Sequence, residues 1–381
     1  MSDKTTSGNR EQDESRAQQP NDGKTVWERG NNGGGWALMI RWTGASATTF
    51  VLASQWSVGF LSLGCAPITD PNAAAYREVT TEPAPSPRWG HTLVYDGARD
   101  QLIAFGGNGP NGKLNDTWAF SLVRETWQTL ETNEGPSARL TPAAIFDAPR
   151  NRMIVVGGDI GTSFASDETW ALDLETLQWS TLPPIPVARF DVIATSDNER
   201  AWFYGGFSAQ FAGLGDLWEL DLTTDTWTER TNTGPEPKAR AAGGMAKRGD
   251  HLVITMGHDN STITHDTWEY GLSNLHWFEQ DTQGEPLVGA HYGVAFDEQC
   301  NTLLLAFGDD NDYYDIGYTS ALVLHKPFRF ELLPSSNALP PRRNAAAAVD
   351  PVRRRMVIFG GRQGFGASLG DTWTIGLGEC L

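Results

Sequence analysis

Cysteine is scarce in this chain, with three among 381 residues. That is too few for a disulfide framework, and their spacing is not that of a zinc site. Long apolar runs are missing too. No stretch reaches the roughly 18 uninterrupted apolar residues of a membrane-spanning helix. Positive charge is in deficit: 29 Lys and Arg stand against 47 Asp and Glu, for a net charge of −18 and a pI near 4.7. Such a surface repels phosphate backbones and excludes nucleic acid as a partner. Gly-rich phosphate loops and nucleophile elbows are absent as well. What is plentiful is 41 Gly, 21 Pro and 15 Trp, the material of many short strands joined by turns.

The first 75 residues read as something other than fold. Residues 1–38 are polar and without apolar periodicity, so they cannot bury enough surface to offset their ordering entropy. They are read as disordered, or as an extension ahead of a start at Met39. Residues 39–65 hold a lone Arg41 and an uncharged, moderately apolar stretch from Trp42 to Gly64, the pattern of a secretory signal. Its ending "LSLGC" resembles a bacterial lipoprotein signal, with Ser62 where that family prefers Leu. The resemblance implies lipidation of Cys65, an anchor of more than one chain, and an outer-membrane, periplasmic or secreted location. Residues 66–75 are a linker.

From residue 76 the chain repeats itself. Apolar runs ending in a Gly pair or a variant place their first glycine at Gly106, Gly157, Gly205, Gly257, Gly308 and Gly360, a period of about 51. His258 and Asp309 stand as replacements of the second glycine in units four and five. Each run leads through a variable loop to a triplet such as "DTW", giving Trp118, Trp170, Trp218, Trp268 and Trp373. Nine residues after the first four come Trp127, Trp179, Trp227 and Trp277; unit five has Ala321 and Phe330 in these two places. Ahead of the Gly pairs stand Arg88, Arg139, Arg189, Arg240 and Arg342, with Ala290 in unit five. Each unit therefore reads as four short antiparallel strands, the content of one propeller blade.

Period, Gly pair and paired aromatics together resemble the Kelch family of β-propellers. The resemblance covers residues 76–381 and implies an all-β, six-bladed propeller. The last unit runs out after Trp373, but "AYREVTTEPAPSPR" (75–88) aligns with "TWQTLETNEGPSAR" (126–139), with Tyr76 on Trp127. The segment at Tyr76 is thus the missing fourth strand, an N-terminal strand that closes the ring and removes the exposed edges.

Loops after the second strand of each unit share one face with the five arginines, and long loops on a rigid scaffold are where binding residues gather. In Kelch-type ubiquitin-ligase adaptors, arginines at this place hold acidic peptides. The resemblance thus implies a ligand-binding set of Arg88, Arg139, Arg189, Arg240 and Arg342 at the channel mouth. The rival reading pairs each arginine with a nearby acid, such as Asp116, Glu168, Asp216 or Asp371, to brace adjacent blades. The acidic loop 308–320 does not match a calcium-loop spacing, and the histidines form no metal triad, so neither metal nor cofactor is expected. Kelch-like oxidases need a Tyr–Cys cross-link near copper-binding histidines, whereas Cys300 lies in a hairpin on the opposite face and Cys380 at the C-terminus. These two can pair as a disulfide in an oxidising compartment. The expected role is that of a monomeric extracytoplasmic scaffold binding a protein, peptide or glycan, with no catalytic residues assigned; the alternative is a mutarotase-like, sugar-processing enzyme in the channel.

Overall fold

The computed structural model describes residues 76–381, apart from 233, 260, 285–288, 311–314, 318, 334–338 and 381. The leader, Cys65 and the linker 66–75 lie outside the described residues. The described chain is all strand and turn, arranged as six antiparallel blades. Blade 1 runs Thr92–Asp96, Gln101–Phe105, Thr117–Ser121 and Thr126–Thr129 from the axis outward. Blades 2 to 5 follow with innermost strands Ala143–Asp147, Ile193–Ser196, Gly244–Arg248 and Gly293–Asp297. Blade 5 gains a fifth, outermost strand, Thr282–Gln283, parallel to its fourth. That strand belongs to the chain leaving blade 4, and no repeat residue foretold it.

Blade 6 is made from both ends of the propeller. Its strands are Ala346–Asp350, Arg355–Phe359, Thr372–Gly376 and then Tyr76–Val79. The register sets Tyr76 opposite Ile375 and Glu78 opposite Trp373. Tyr76 does for blade 6 what Trp127 does for blade 1. The Trp127 indole donates to the Thr372 hydroxyl of blade 6 at 3.0 Å, and the Tyr76 hydroxyl donates to Thr319 of blade 5 at 3.2 Å.

Burial explains the residue choices along each blade. The second strand is covered on both faces by neighbouring blades, so Gln101–Phe105 and Thr302–Ala306 are buried at every position and read as unbroken apolar runs. The outermost strand buries one side chain, as in Thr126–Thr129, where Trp127 alone is covered. That ring reaches across to the preceding blade: Trp127 lies 4.8 Å from Phe359 and Trp179 lies 5.1 Å from Phe105. Large flat rings fill the wedge that widens away from the axis.

Four repeat positions differ from the sequence reading, each by one residue. Gly257 and Gly308 are the second glycines of their pairs, at φ 99° and 106° like Gly107 at 93°. Met256 and Phe307 take the first position and adopt left-handed geometry at φ 59°, a strain that near-complete burial of both side chains offsets. His258 and Asp309 are not glycine replacements; they follow the pair, as Asn108 and Asp159 do. In blade 5 the residue at the first Trp position is Ser320, paired with Leu305 as Trp118 pairs with Ala104. The residue at the arginine position is Gly289, and Ala290 matches Trp89 instead.

Around the axis lies a device with no side-chain signature. Gly90, Thr141, Asp191, Ala242, His291 and Asn344, one from each blade, all have φ between 48° and 61°. Thr141 N donates to Gly90 O, Asp191 N to Thr141 O, Ala242 N to Asp191 O, His291 N to Ala242 O, Asn344 N to His291 O and Gly90 N to Asn344 O, at 2.7–3.2 Å. Six backbone hydrogen bonds thus form a closed hoop at the loop-side end of the innermost strands. Turning each peptide into that hoop requires the left-handed conformation.

Candidate binding face

The five arginines lie just before this hoop, and all are fully buried at 0% exposure. Arg88 grips both oxygens of Asp116 at 2.7 Å. Arg189 does the same to Asp216, Arg240 to Asp266 and Arg342 to Asp371, at 2.7–2.9 Å. Arg139 pairs with Glu168. Each carboxylate also accepts from the indole two residues on, as Asp216 does from Trp218 at 2.6 Å and Asp371 from Trp373 at 2.7 Å. The "DTW" triplet is therefore an acid clamped between a buried guanidinium and an indole. Burial would raise these carboxyl pKa values, but the arginine hydrogen bonds and charge outweigh it and hold all five below the usual range.

The remaining donor capacity of each arginine goes to backbone, for example Arg189 to Gly205 O and Val187 O. The arginine backbone in turn accepts from the preceding blade, as Arg139 O does from Gly107 N at 2.9 Å. The ligand-binding assignment of Arg88, Arg139, Arg189, Arg240 and Arg342 is corrected on this geometry. Their guanidiniums face acids within the blade, none lines the axial cavity, and the structure assigns them to bracing.

What lines the mouth is the hoop itself. An axial cavity of about 200 Å³ is bounded by the six hoop residues and the starts of the innermost strands. Of the hoop side chains, Asp191, His291 and Asn344 are half-buried and polar. His291 Nδ1 bonds to Asp309 Oδ1 at 2.8 Å, and Asp309 is held from behind by Arg343. Burial would lower the His291 pKa, but Asp309 outweighs it and raises it, so the imidazolium is favoured. Burial raises the carboxyl pKa of Asp191, with the Thr141 hydroxyl beside it but completing no hydrogen bond of ordinary geometry.

Outward from the hoop the face divides. Over blades 2 to 4 runs an aromatic ladder: Phe164 to Phe211 at 4.9 Å, Phe211 to Phe190 and Phe190 to Phe207 at 5.6 Å, Phe207 to His258 at 5.1 Å and His258 to His291 at 4.7 Å. Its outer rungs are open to solvent, Phe164 at 50% and Phe211 at 43% exposed. Over blades 6 and 1 the Arg362 guanidinium stacks on Trp89 at 3.9 Å, with Phe365 beside it at 78% exposure. Among the described residues no cluster of three metal-ligating side chains occurs. Asp309 is tied to His291 and Arg343, and the Asp315 carboxylate to the Gly364 N–H.

The opposite, hairpin face carries Cys300 and Cys380, which are joined as a disulfide with Cα atoms 5.0 Å apart. Arg354 of blade 6 binds both oxygens of Asp297 in blade 5 at 2.7–2.8 Å, fastening the same two blades.

A closed ring of six blades, five of them braced by buried Arg–carboxylate–Trp units and all opening their loops on one face, defines a Kelch-type propeller. The profile of the KLHDC2/KLHL20/DRC7 Kelch-repeats domain matches residues 68–185 and 136–308, more than half of the sequence. The chain belongs to the Kelch-repeat family. Among curated relatives it is 26% identical over 262 residues to acyl-CoA-binding domain-containing protein 4 of Arabidopsis thaliana, covering 65% of this chain and 38% of that protein. It is equally identical over 262 residues to acyl-CoA-binding domain-containing protein 5 of the same plant, covering 64% of this chain and 40% of that one. Over 211 residues it is 26% identical to Kelch domain-containing protein 10 of Bos taurus, 51% of this chain and 47% of that protein. The chain thus spans about two fifths of the length of the two plant relatives.

Proposed function

We propose that this propeller is a binding scaffold that docks a protein partner on its loop face, outside the cytoplasm. The observation that carries the docking surface is the aromatic ladder ending in the exposed Phe164 and Phe211, with Phe365 across the mouth. Exposed aromatics on a rigid platform, ringed by polar loops, are the usual anchors of a protein interface. The location draws support from the Cys300–Cys380 disulfide and from the leader ending at Cys65, the proposed lipid anchor. The bacterial lipoprotein assignment rests on those leader residues alone, since the plant and animal relatives lend it no support.

The test is cross-linking of the full chain to its partner in the source cells. The double variant Phe164→Ser/Phe211→Ser should lose the cross-linked species, while Val123→Ser and Val352→Ser, more exposed apolar residues of the hairpins, keep it. Equal yields from the two sets would remove the loop face from consideration.

A further inference from the structure

The hoop side chains fall into a pattern that the docking surface does not use. Taken in order around the axis they are Gly90, Thr141, Asp191, Ala242, His291 and Asn344. The two smallest, Gly90 and Ala242, stand three places apart and so face each other across the ring. Between them lie two polar pairs, Thr141 with Asp191 on one side and His291 with Asn344 on the other. The mouth of the axial cavity is therefore a slot with small residues at its ends and polar groups along its two long walls.

The two walls differ in sign. Asp191 presents a carboxylate whose neighbour on its own wall is the Thr141 hydroxyl. The only other acid near it on that side, Asp159, is already neutralised by Lys113 at 2.5 Å. The far wall is cationic. Asp309 raises the His291 pKa and so favours the imidazolium, Asp309 is shared with Arg343, and Arg362 stands beyond on Trp89. His291 lines the cavity and spends Nδ1 on Asp309, with no hydrogen bond at Nε2 among the described residues, and the Asn344 amide makes no side-chain hydrogen bond among them either. One wall thus accepts from a cation and the other donates to an anion. A neutral polyol would gain nothing from this separation of charge, and a simple anion or cation would meet one favourable wall and one repulsive one.

We propose that this slot binds a small zwitterion, a free α-amino acid, with its ammonium on Asp191 and its carboxylate facing His291 Nε2 and the Asn344 amide. The cavity volume of about 200 Å³ is many times the roughly 10–15 Å³ that one water needs, room for a small ligand such as an amino acid. Charge-assisted hydrogen bonds at both ends supply the specificity, because a ligand lacking either charge leaves one wall unanswered. The inference shares with the docking proposal the loop face and His291, the innermost rung of the aromatic ladder.

The experiment is calorimetric titration of the full chain with the common free amino acids. Alongside run their N-acetyl and amide derivatives, which each keep one charge, and glucose and glycerol. At least one free amino acid should bind saturably, at least tenfold more tightly than either of its capped forms, with no heat from the neutral compounds. The isosteric Asp191→Asn should weaken that binding by roughly tenfold to a hundredfold, the loss of one hydrogen bond to a charged group. Absence of binding by every free amino acid, equal affinity for a capped form, binding of glucose instead, or an Asp191→Asn variant with unchanged affinity would each overturn the assignment. A wild-type protein that cross-links to its partner yet takes up no amino acid sinks this inference and leaves the docking surface standing; the reverse result does the opposite.

Discussion

Blade 5 and the other five blades solve the same packing problem differently. Five blades carry a buried arginine, an acid and an indole that hold one another. Blade 5 has Gly289 at the arginine position and Ser320 at the indole position, and the sequence places Tyr318 where the acid would stand. All three members are gone together. That is what a single energetic unit predicts, since a buried guanidinium without its acid, or an acid without its guanidinium, is costly. The space is refilled from within the blade: a Cβ on Gly289 would lie 2.4 Å from the Tyr292 hydroxyl, 2.6 Å from Ile316 Cδ1 and 2.8 Å from Asp309 O. Blade 5 meanwhile carries its own ionic group nearer the axis, His291–Asp309–Arg343. The blade that gave up the brace supplies one wall of the slot.

The largest effect should come from breaking a brace in an ordinary blade. Arg189→Ala removes hydrogen bonds to Asp216, Gly205 and Val187 and opens a cavity. Its cost should be about 3–5 kcal/mol in unfolding free energy, measured by denaturant titration. If the unit acts as one, Arg189→Ala/Asp216→Ala should cost clearly less than the sum of its single changes, with a coupling of about 1 kcal/mol or more. Strict additivity would mean that blade 5 lost its three residues for unrelated reasons. A smaller effect, about 2 kcal/mol, is expected of Gly289→Ala, because the new methyl meets the backbone oxygen of Asp309 as well as two side chains. Gly234→Ala, whose nearest neighbour would be the Asn232 side chain at 3.8 Å, should be close to neutral. A Gly289→Ala protein as stable as Gly234→Ala would show that blade 5 is not packed shut at the arginine position.

Much of this was readable in the sequence because a repeat states its pattern several times. The Gly pairs and the paired indoles gave the blade count, and the alignment of Tyr76 with Trp127 gave the closure. The one-residue shifts in blades 4 and 5 escaped because Met256 and Phe307 occupy a left-handed position where glycine is the expected sign. Alignment on the remaining glycine then slid the neighbours. The arginines were visible but their use was not: a cation ahead of a Gly pair fits a funnel or a brace equally well. One signal was available and unread, namely that the acid before the indole vanishes in the same unit as the arginine. The hoop was not readable at all. It is built from backbone, and Gly90, Thr141, Asp191, Ala242, His291 and Asn344 share no side-chain property. The slot depends on the hoop, so Asp191 and Asn344 went unnoticed.

The smallest effect, and the one that separates the two kinds of ionic group, is the response to acid. His258 packs between Phe207 and His291, and burial together with the His291 charge lowers its pKa to about 4. The unfolded chain, with an ordinary histidine near 6.5, therefore binds more protons than the native state between those values. Stability from this group is complete above about pH 6.5, declines as pH falls toward 4, and changes no further below that. His291 runs the other way. Its raised pKa favours the native state at low pH and loses that contribution as pH rises through the native value. At His258, burial and the His291 charge outweigh the attraction of Asp309 and Asp259, while at His291 Asp309 and Asp191 outweigh burial and the repulsion of Arg343. The carboxylates clamped by arginine stay ionised to below the usual range, so their loss begins only under stronger acid. The buried His91, held well below 6.5 by burial and then by the Arg88 charge, adds a loss of the same sign as His258, so between pH 7 and 5 the net change should be a decline of about 1–3 kcal/mol, read from chemical denaturation at each pH. His258→Phe should make it shallower, because a ring of similar shape cannot take up the proton, and should leave the part that comes from His91. Arg189→Ala, by contrast, should lower the whole curve without altering its slope in that window. A decline that His258→Phe leaves unchanged would assign the acid response to His91 at the innermost strand of blade 1 rather than to His258.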